Sequence, residues 1–200
     1  MQQRSSWFRF STPSLVLIPV AVGINYVGKL FASTLKLPLW LDSIGTVLAG
    51  MLAGPVVGAL SGAINNVIYG LTADPISFVY GLTSIFIGLV AGIMAFKGWI
   101  DGWGKALVVG LAVGFTATVV STPLNVWFWG GQTGNFWGDA LFAAVLAQTN
   151  SVWLASFLDE VVVDVPDKLL TVLAAYALFR SLPKNIKQLY TGSGELESLD

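Results

Sequence analysis

The stretch PLWLDSIGTVLAGMLAGPVVGALSGAINNVIYGL, residues 38–71, decides the fold of this chain. It consists of two apolar arms joined by the turn residues Gly54 and Pro55. Small residues recur one helical turn apart in both arms, which lets helix backbones approach closely in a membrane. They are Gly45, Ala49 and Ala53 in the first arm, and Gly58 and Gly62 in the second. The second arm ends in Asn65, Asn66 and Tyr69, which are costly in hydrocarbon unless they face protein, water or a ligand. The stretch therefore predicts a membrane hairpin with one polar end.

The composition is that of an integral membrane protein. Of the 200 residues, 55% are hydrophobic and only 10% are charged, well outside the usual range of a soluble domain. This length accommodates roughly six spans of about 20 residues each. The chain has no cysteine and no histidine, so disulfides and Cys/His metal sites are excluded. A net charge of −1 without a basic stripe gives no indication of nucleic-acid binding.

The apolar runs predict an order of spans. The first covers about residues 13–34, the hairpin supplies a short second span of about 15 residues and a third span, and the next two cover 76–96 and 106–127. The runs 139–158 and 161–182 could each cross the membrane, but not both. The positive-inside rule decides between them, because an odd number of crossings after Trp127 keeps the basic residues on one side. Those residues are Arg4, Arg9, Lys97, Lys105, Arg180, Lys184 and Lys187.

We therefore predict an all-α integral membrane protein with six transmembrane helices and both termini in the cytoplasm. The run 161–182 is the sixth span, and the run 139–158 forms an additional embedded or interfacial helix. Residues 1–12 are expected to form a cytoplasmic amphipathic segment, residues 13–183 the substrate-binding membrane domain, and residues 184–200 a disordered cytoplasmic tail.

Polar residues at membrane depth cluster in the outer half under this topology and are the candidates for ligand binding. A charged row, in which Glu160, Asp164, Asp167 and Lys168 share one helical face, opens the last span. This row is either the start of an interfacial helix or the wall of a ligand cavity. The candidate substrate-binding residues are Lys29, Asn65, Asn66, Tyr69, Tyr80, Asn125, Trp127, Gln148, Asn150, Glu160, Asp164 and Lys168.

Two further patterns each allow two interpretations. The segment WFWGGQTGNFW, residues 127–137, is either an aromatic belt at the interface or a lid with Trp129, Gln132 and Trp137 as its ligand-facing residues. A stripe of mostly small side chains on the first span serves either internal packing or docking of another subunit. The stripe consists of Ala21, Asn25, Gly28 and Ala32.

Catalysis is not expected. The chain has no Ser/His pair, no metal-ligand motif and no phosphate-binding loop, and its acids follow one helix without an opposed pair. An ion-coupled carrier would place acids at the bilayer midplane and often contain inverted repeats, which are not visible here. These observations favour a protein that captures a ligand.

Several of these features together resemble the substrate-binding S component of an energy-coupling factor (ECF) transporter. They are the order of short spans, the LDSIGTVLAGMLAGP hairpin, the motif INN at residues 64–66, and a last span that VDVPDK opens and SLPK closes. The resemblance implies a multi-pass protein of the bacterial plasma membrane that binds a vitamin near its outer face. It also implies partners: a transmembrane coupling subunit, against which the protein topples, and two ATPases that alone use ATP.

The resemblance leaves the cargo open. A riboflavin-like ring system, cobalamin or another heterocycle would suit a cavity of Trp, Tyr and amides, and no covalently bound cofactor is expected. The family's docking residues are small, which assigns the stripe from Ala21 to Ala32 to the coupling subunit, although Asn25 departs from the pattern. The alternatives are a ligand-sensing membrane domain of a signalling system and a small stand-alone carrier.

Overall fold

The computed structural model describes residues 11–190, and no β-strand occurs within that range. The α-helices in chain order are α1 (Thr12–Thr34), α2 (Ile44–Ala53), α3 (Pro55–Thr72), α4 (Gly81–Phe96), α5 (Trp103–Trp129), α6 (Phe136–Thr149), α7 (Val152–Ser181) and α8 (Lys184–Gln188). A 3-10 helix, Pro75–Phe78, precedes α4. The most extensive helix contacts join α5 to α7 and α3 to α4.

Large apolar side chains face outward, and several polar and charged side chains are buried. Val27 is 67% and Leu71 74% exposed, whereas Asn25, Asn125 and Asp167 are completely buried. Among the described residues, α1 and α5 are long and apolar enough to cross a membrane, and α2 and α4 are shorter apolar helices. An outward apolar surface, with buried polar groups beside an apolar core, fits a helical membrane protein.

The hairpin forms as predicted. Gly54 joins α2 to α3 with a φ of 97°, a conformation that favours glycine, and Pro55 is the first residue of α3. The glycine rows bring backbones into contact: a methyl group on Gly88 of α4 would lie 2.3 Å from the carbonyl carbon of Gly58 in α3. Close backbone packing therefore holds α3 against α4.

The second and fourth helices begin later than the apolar runs predict. Helix α2 has 10 residues instead of about 15, because residues 35–43 form a loop in which Leu41 has a φ of 51°. Helix α4 begins at Gly81, since the Asp74 side chain accepts a hydrogen bond from the Ile76 N–H (3.1 Å) and starts the 3-10 helix instead. Conversely, α5 continues beyond the predicted end at residue 127 and runs through Pro123 to Trp129 as one helix.

The predicted boundaries 139–158 and 161–182 are wrong. Helix α6 ends at Thr149 because Asn150 adopts the left-handed conformation, with a φ of 52°. The Ser151 hydroxyl accepts a hydrogen bond from the Leu154 N–H at 3.3 Å and caps α7 there. Residues 152–158, which were assigned to the end of the earlier run, therefore belong to α7.

The predicted terminal segments lie largely outside the described residues, which exclude 1–10 and 191–200. The disorder predicted for residues 184–200 does not hold for the part that the structure describes. Residues Lys184–Gln188 form α8, and Tyr190 is partly buried against the core.

The small-residue stripe of α1 faces the interior, which does not fit the predicted docking role. Ala21, Asn25 and Ala32 are at most 2% exposed, and a methyl group on Gly28 would overlap the carbonyl oxygen of Leu41. The Asn25 amide oxygen accepts from the Gly45 N–H at 2.7 Å, and its NH2 group donates to the Thr46 hydroxyl at 2.8 Å. Asn25 thus caps α2, whose own N-cap residue makes no side-chain cap bond. This accounts for an amide within a row of small residues.

The basic residues of the described region lie mostly at one end of the bundle, which we call the basic end. There the Gly102 N–H donates to the Tyr176 hydroxyl at 3.0 Å, and the Trp103 ring packs edge-on against Tyr176 at 5.0 Å. The α4–α5 turn, the end of α7 and helix α8 meet at this end. The basic residues that these segments carry are Lys97, Lys105, Arg180, Lys184 and Lys187.

Candidate functional site: a charged cavity at the opposite end

A cavity of about 50 Å³ lies at the end of the bundle opposite the basic end. It is formed by the end of α1, the loop before α2, the first turns of α4, the second half of α5 and the first half of α7. We call it the charged cavity, because ammonium and carboxyl groups both line it. Its lining residues are Lys29, Trp40, Asp42, Tyr80, Thr83, Ser84, Ile87, Ser121, Glu160, Asp164 and Lys168.

A buried ion network closes one wall of the cavity. The Lys168 ammonium lies 2.5 Å from Asp167 Oδ2 and 3.1 Å from Asp42 Oδ1. The other oxygen of Asp167 accepts the backbone N–H groups of Trp40 (3.0 Å) and Leu41 (2.9 Å). The network thereby ties the loop before α2 to the middle of α7 and places Trp40 and Asp42 at the cavity.

The charge of Asp42 depends on this network. Asp42 lies in the loop between α1 and α2, outside the helices. Burial would raise the pKa of its carboxyl, but the ammonium groups of Lys168 and Lys29 and a hydrogen bond from Ser43 outweigh burial and lower it to about 2. Asp42 is therefore ionised at neutral pH and stabilises the charged form of Lys168.

A second chain of hydrogen bonds starts at Lys29. Its ammonium donates to the Ser77 hydroxyl at 3.1 Å and lies 4.3 Å from the centre of the Tyr69 ring. Ser77 in turn donates to the Asn66 amide oxygen at 2.9 Å, and the Asn66 NH2 group donates to the Ser84 hydroxyl at 2.7 Å. The Asn66 amide is used completely by protein groups, so it positions Ser77 and Ser84 and leaves no free atom for a ligand.

Asn125 has a similar positioning role. Its amide oxygen accepts a hydrogen bond from the Tyr80 hydroxyl, and its NH2 group donates to Glu160. Nearby, the hydroxyls of Thr83 and Ser121 hydrogen-bond at 3.0 Å. These contacts join α4, α5 and α7 around the cavity and hold the Tyr80 ring in its wall.

The charged cavity adjoins a wider vestibule of about 390 Å³. Lys29 and Trp40 line both spaces, so they form the boundary between them. Of the predicted lid residues, Trp137 lines the vestibule, together with Phe136. Trp129 is the last residue of α5, Gln132 is exposed, and neither lines either space.

The structure brings some of the predicted binding residues together and separates others. Those that line the charged cavity are Lys29, Tyr80, Glu160, Asp164 and Lys168. Asn66, Tyr69 and Asn125 contact these residues or their neighbours. Four of the predicted residues do not line the cavity: Asn65, Trp127, Gln148 and Asn150. Trp127 is 70% exposed and packs edge-on against Trp153 at 6.3 Å.

Sequence reasoning missed several lining residues, of which Trp40 and Asp42 are the most informative. Both lie in the loop that was taken as the start of the second span. The sequence did contain a signal for Asp42. It is an acid directly before Ser43, the N-cap residue of α2, and an acid inside a span is costly unless it is paired. The hydroxyl groups of Thr83, Ser84 and Ser121 carried no such signal, since serine and threonine are common in membrane helices.

Fold and cavity define a helical membrane protein that encloses a polar, charged cavity near one end. The sequence model of the family described as "ECF transporter, substrate-specific component" matches residues 13–190, and the chain belongs to this family. Comparison with curated proteins and comparison with solved structures each found no match. The protein is therefore a substrate-specific component of a membrane transport system and not a member of an enzyme class. Family membership implies association with an ECF coupling and ATPase module.

Proposed function

We propose that this chain captures a vitamin or related micronutrient from outside the cell in the charged cavity. It then delivers this cargo to the cytoplasm by toppling against the coupling subunit, while the partner ATPases supply the energy. The observation that carries the proposal is a cavity with charged and aromatic walls that adjoins a vestibule of about 390 Å³, in a protein of this family. Small-molecule sites typically combine such aromatic surfaces with a few placed polar groups.

The proposed topology has six transmembrane helices, α1 to α5 and α7, with both ends of the chain in the cytoplasm and α6 as an additional helix. Support comes from the basic end, where five Lys or Arg residues meet, since basic residues concentrate on the cytoplasmic side. The charged cavity lies at the other end and would open outward through the vestibule. The protein would accordingly be a multi-pass protein of the bacterial plasma membrane.

Cargo capture can be tested with a variant that fills the cavity. Ser121 is 4% exposed and lines the charged cavity, so Ser121→Leu should occupy the space of the ligand. We expect native mass spectrometry of the purified wild-type protein to show one small molecule per chain, and Ser121→Leu to lose it. The matched control is Ser181→Leu at the exposed end of α7, which should retain it. Equal retention by Ser121→Leu would contradict the proposed site, and uptake by this chain without any partner would favour a stand-alone carrier.

The coupling subunit is proposed to dock on the outward face of α1 and α3. A groove of about 520 Å³ opens there between the two helices, and its lining is almost entirely apolar. It includes Ile18, Pro19, Val22, Gly23, Tyr26, Val27, Ile64 and Ile68. Gly23 lies in the groove with no atom within 4 Å of an added methyl group. A helix of the coupling subunit could therefore approach the α1 backbone closely at Gly23.

The docking face can be tested by filling this groove. Gly23→Trp should fold normally, because the side chain enters open space, but should block the approach of the partner helix. We expect co-purification of the coupling subunit to fall at least tenfold, while ligand retention stays at the wild-type level. Leu111→Trp, on the half-exposed outer face of α5, is the control and should leave co-purification unchanged. Full co-purification of Gly23→Trp would place the docking surface elsewhere.

A further inference from the structure

The charged cavity contains a hydrogen-bond acceptor without a protein partner, and this acceptor belongs to a carboxyl group. Three carboxyl groups and two ammonium groups line it. The Lys168 ammonium is paired with both Asp167 and Asp42, and the Lys29 ammonium is engaged by Ser77 and the Tyr69 ring. Both cations therefore already have partners within the protein, Lys168 in two carboxylates and Lys29 in one hydroxyl and one ring.

Asp164 differs from these residues. Its side chain lines the cavity and is 3% exposed, and its Oδ2 atom has no hydrogen-bond partner. Glu160 lies one helical turn earlier on the same face of α7. No salt bridge within residues 11–190 reaches Glu160 or Asp164. Asp164 interacts with the Glu160 side chain and, beyond salt-bridge distance, with the Lys168 ammonium. A buried carboxyl oxygen without a partner is costly, so a group that donates a hydrogen bond to it from the cavity would gain stability.

The aromatic groups of the cavity point to the same kind of ligand. Trp40 and Tyr80 both line it, and aromatic faces attract cations and stack on planar rings. We infer that the cargo is a planar nitrogen heterocycle with a positive charge or a donor amino group, which binds between these rings with its nitrogen on Asp164. This inference rests on the proposed function, because it assigns a chemical class to the cargo of the same cavity.

A series of ligands that differ only in charge can test this class. Pyridine compounds with one substituent at the 3-position supply it: 3-(aminomethyl)pyridine as a cation, nicotinamide as a neutral molecule and nicotinate as an anion. Their dissociation constants would be measured at millimolar concentrations by ligand-observed NMR, with the full-length protein in nanodiscs. We expect the cation to bind most tightly, at least tenfold more tightly than nicotinate.

Asp164→Asn should abolish this preference, because it keeps the shape of the side chain but removes its charge. The same substitution should leave the melting temperature of the ligand-free protein unchanged or raise it, since the buried carboxyl is replaced by a neutral amide. A residue with a purely structural role would show the opposite, a loss of stability. Asp101→Asn is the matched control, because Asp101 has a 90% exposed side chain at the basic end. It should leave the order of affinities intact.

Tighter binding of nicotinate or nicotinamide than of the cation would overturn the inference. So would equal affinities, an absence of binding by all three compounds, or an Asp164→Asn protein that keeps the preference. None of these results would overturn the proposed transport role, which depends on cargo retention and on the coupling subunit. Conversely, loss of the partner interaction would remove that role without changing the charge preference of the cavity.

Discussion

Replacing Lys168 with methionine is expected to be the most destabilising single change in the charged cavity. The substitution keeps an unbranched side chain that is one atom shorter, but it leaves Asp167, which is completely buried, and Asp42 without their shared cation. Removal of one partner from a buried ion pair typically costs about 3–5 kcal/mol. We expect a loss of this size in the free energy of unfolding, measured by titration with sodium dodecyl sulfate in mixed micelles.

Two further variants identify the cause of that loss. Lys168→Met combined with Asp167→Asn should recover part of the stability, because asparagine removes the unpaired charge and its amide oxygen can still accept the N–H groups of Trp40 and Leu41. Lys105→Met is the control, since Lys105 is half exposed and pairs with the exposed Asp101 at 3.7 Å. Exposed pairs contribute little to stability, so no measurable change is expected. Wild-type stability of Lys168→Met would show that the buried network does not hold the loop to α7.

Gly88→Ala is expected to have the second largest effect. An added methyl group would lie 2.3 Å from the carbonyl carbon of Gly58 and 2.4 Å from the backbone nitrogen of Ala59. Backbone atoms cannot move aside as a flexible side chain can, so α3 and α4 must separate. Overpacking of this kind typically costs about 1–3 kcal/mol, and occasionally more. The loss should appear as a lower melting temperature in detergent.

The matched control is Gly104→Ala in the first turn of α5, where an added methyl group meets nothing within 4 Å. Alanine at such a position restricts the unfolded chain and should leave stability unchanged or slightly increased. Equal melting temperatures of Gly88→Ala and Gly104→Ala would contradict the close backbone packing of α3 against α4. Because neither glycine lines the charged cavity, this pair reports on helix packing independently of ligand binding.

The features of this protein that depend on neighbouring residues in the chain could be predicted from the sequence. The turn at Gly54 and Pro55 and the membrane character of the chain follow from composition and from neighbouring residues, and both were predicted. The charged row of α7 was also predicted, and Glu160, Asp164 and Lys168 do line one cavity. Their part in binding stays a prediction until a ligand is measured.

Helix boundaries were predicted less well, because apolar runs do not show which polar residue ends a helix. The division between α6 and α7 depends on the left-handed Asn150 and the capping hydroxyl of Ser151. Asparagine and serine also occur inside helices, so neither residue type by itself marks a helix end. The role of Asn25 was likewise undetermined, since its contacts with Gly45 and Thr46 form only once α1 packs on α2.

The sequence by itself determined that this chain is a helical membrane protein with one polar end, because hydropathy, glycine spacing and turn residues act over one or two helical turns. The tertiary structure alone decided which polar groups share a cavity. Lys168 and Asp42 are 126 positions apart in the chain, and no local spacing specifies that they meet. The open acceptor on Asp164 is also a tertiary property. It exists because the folded chain gives the neighbouring cations other partners.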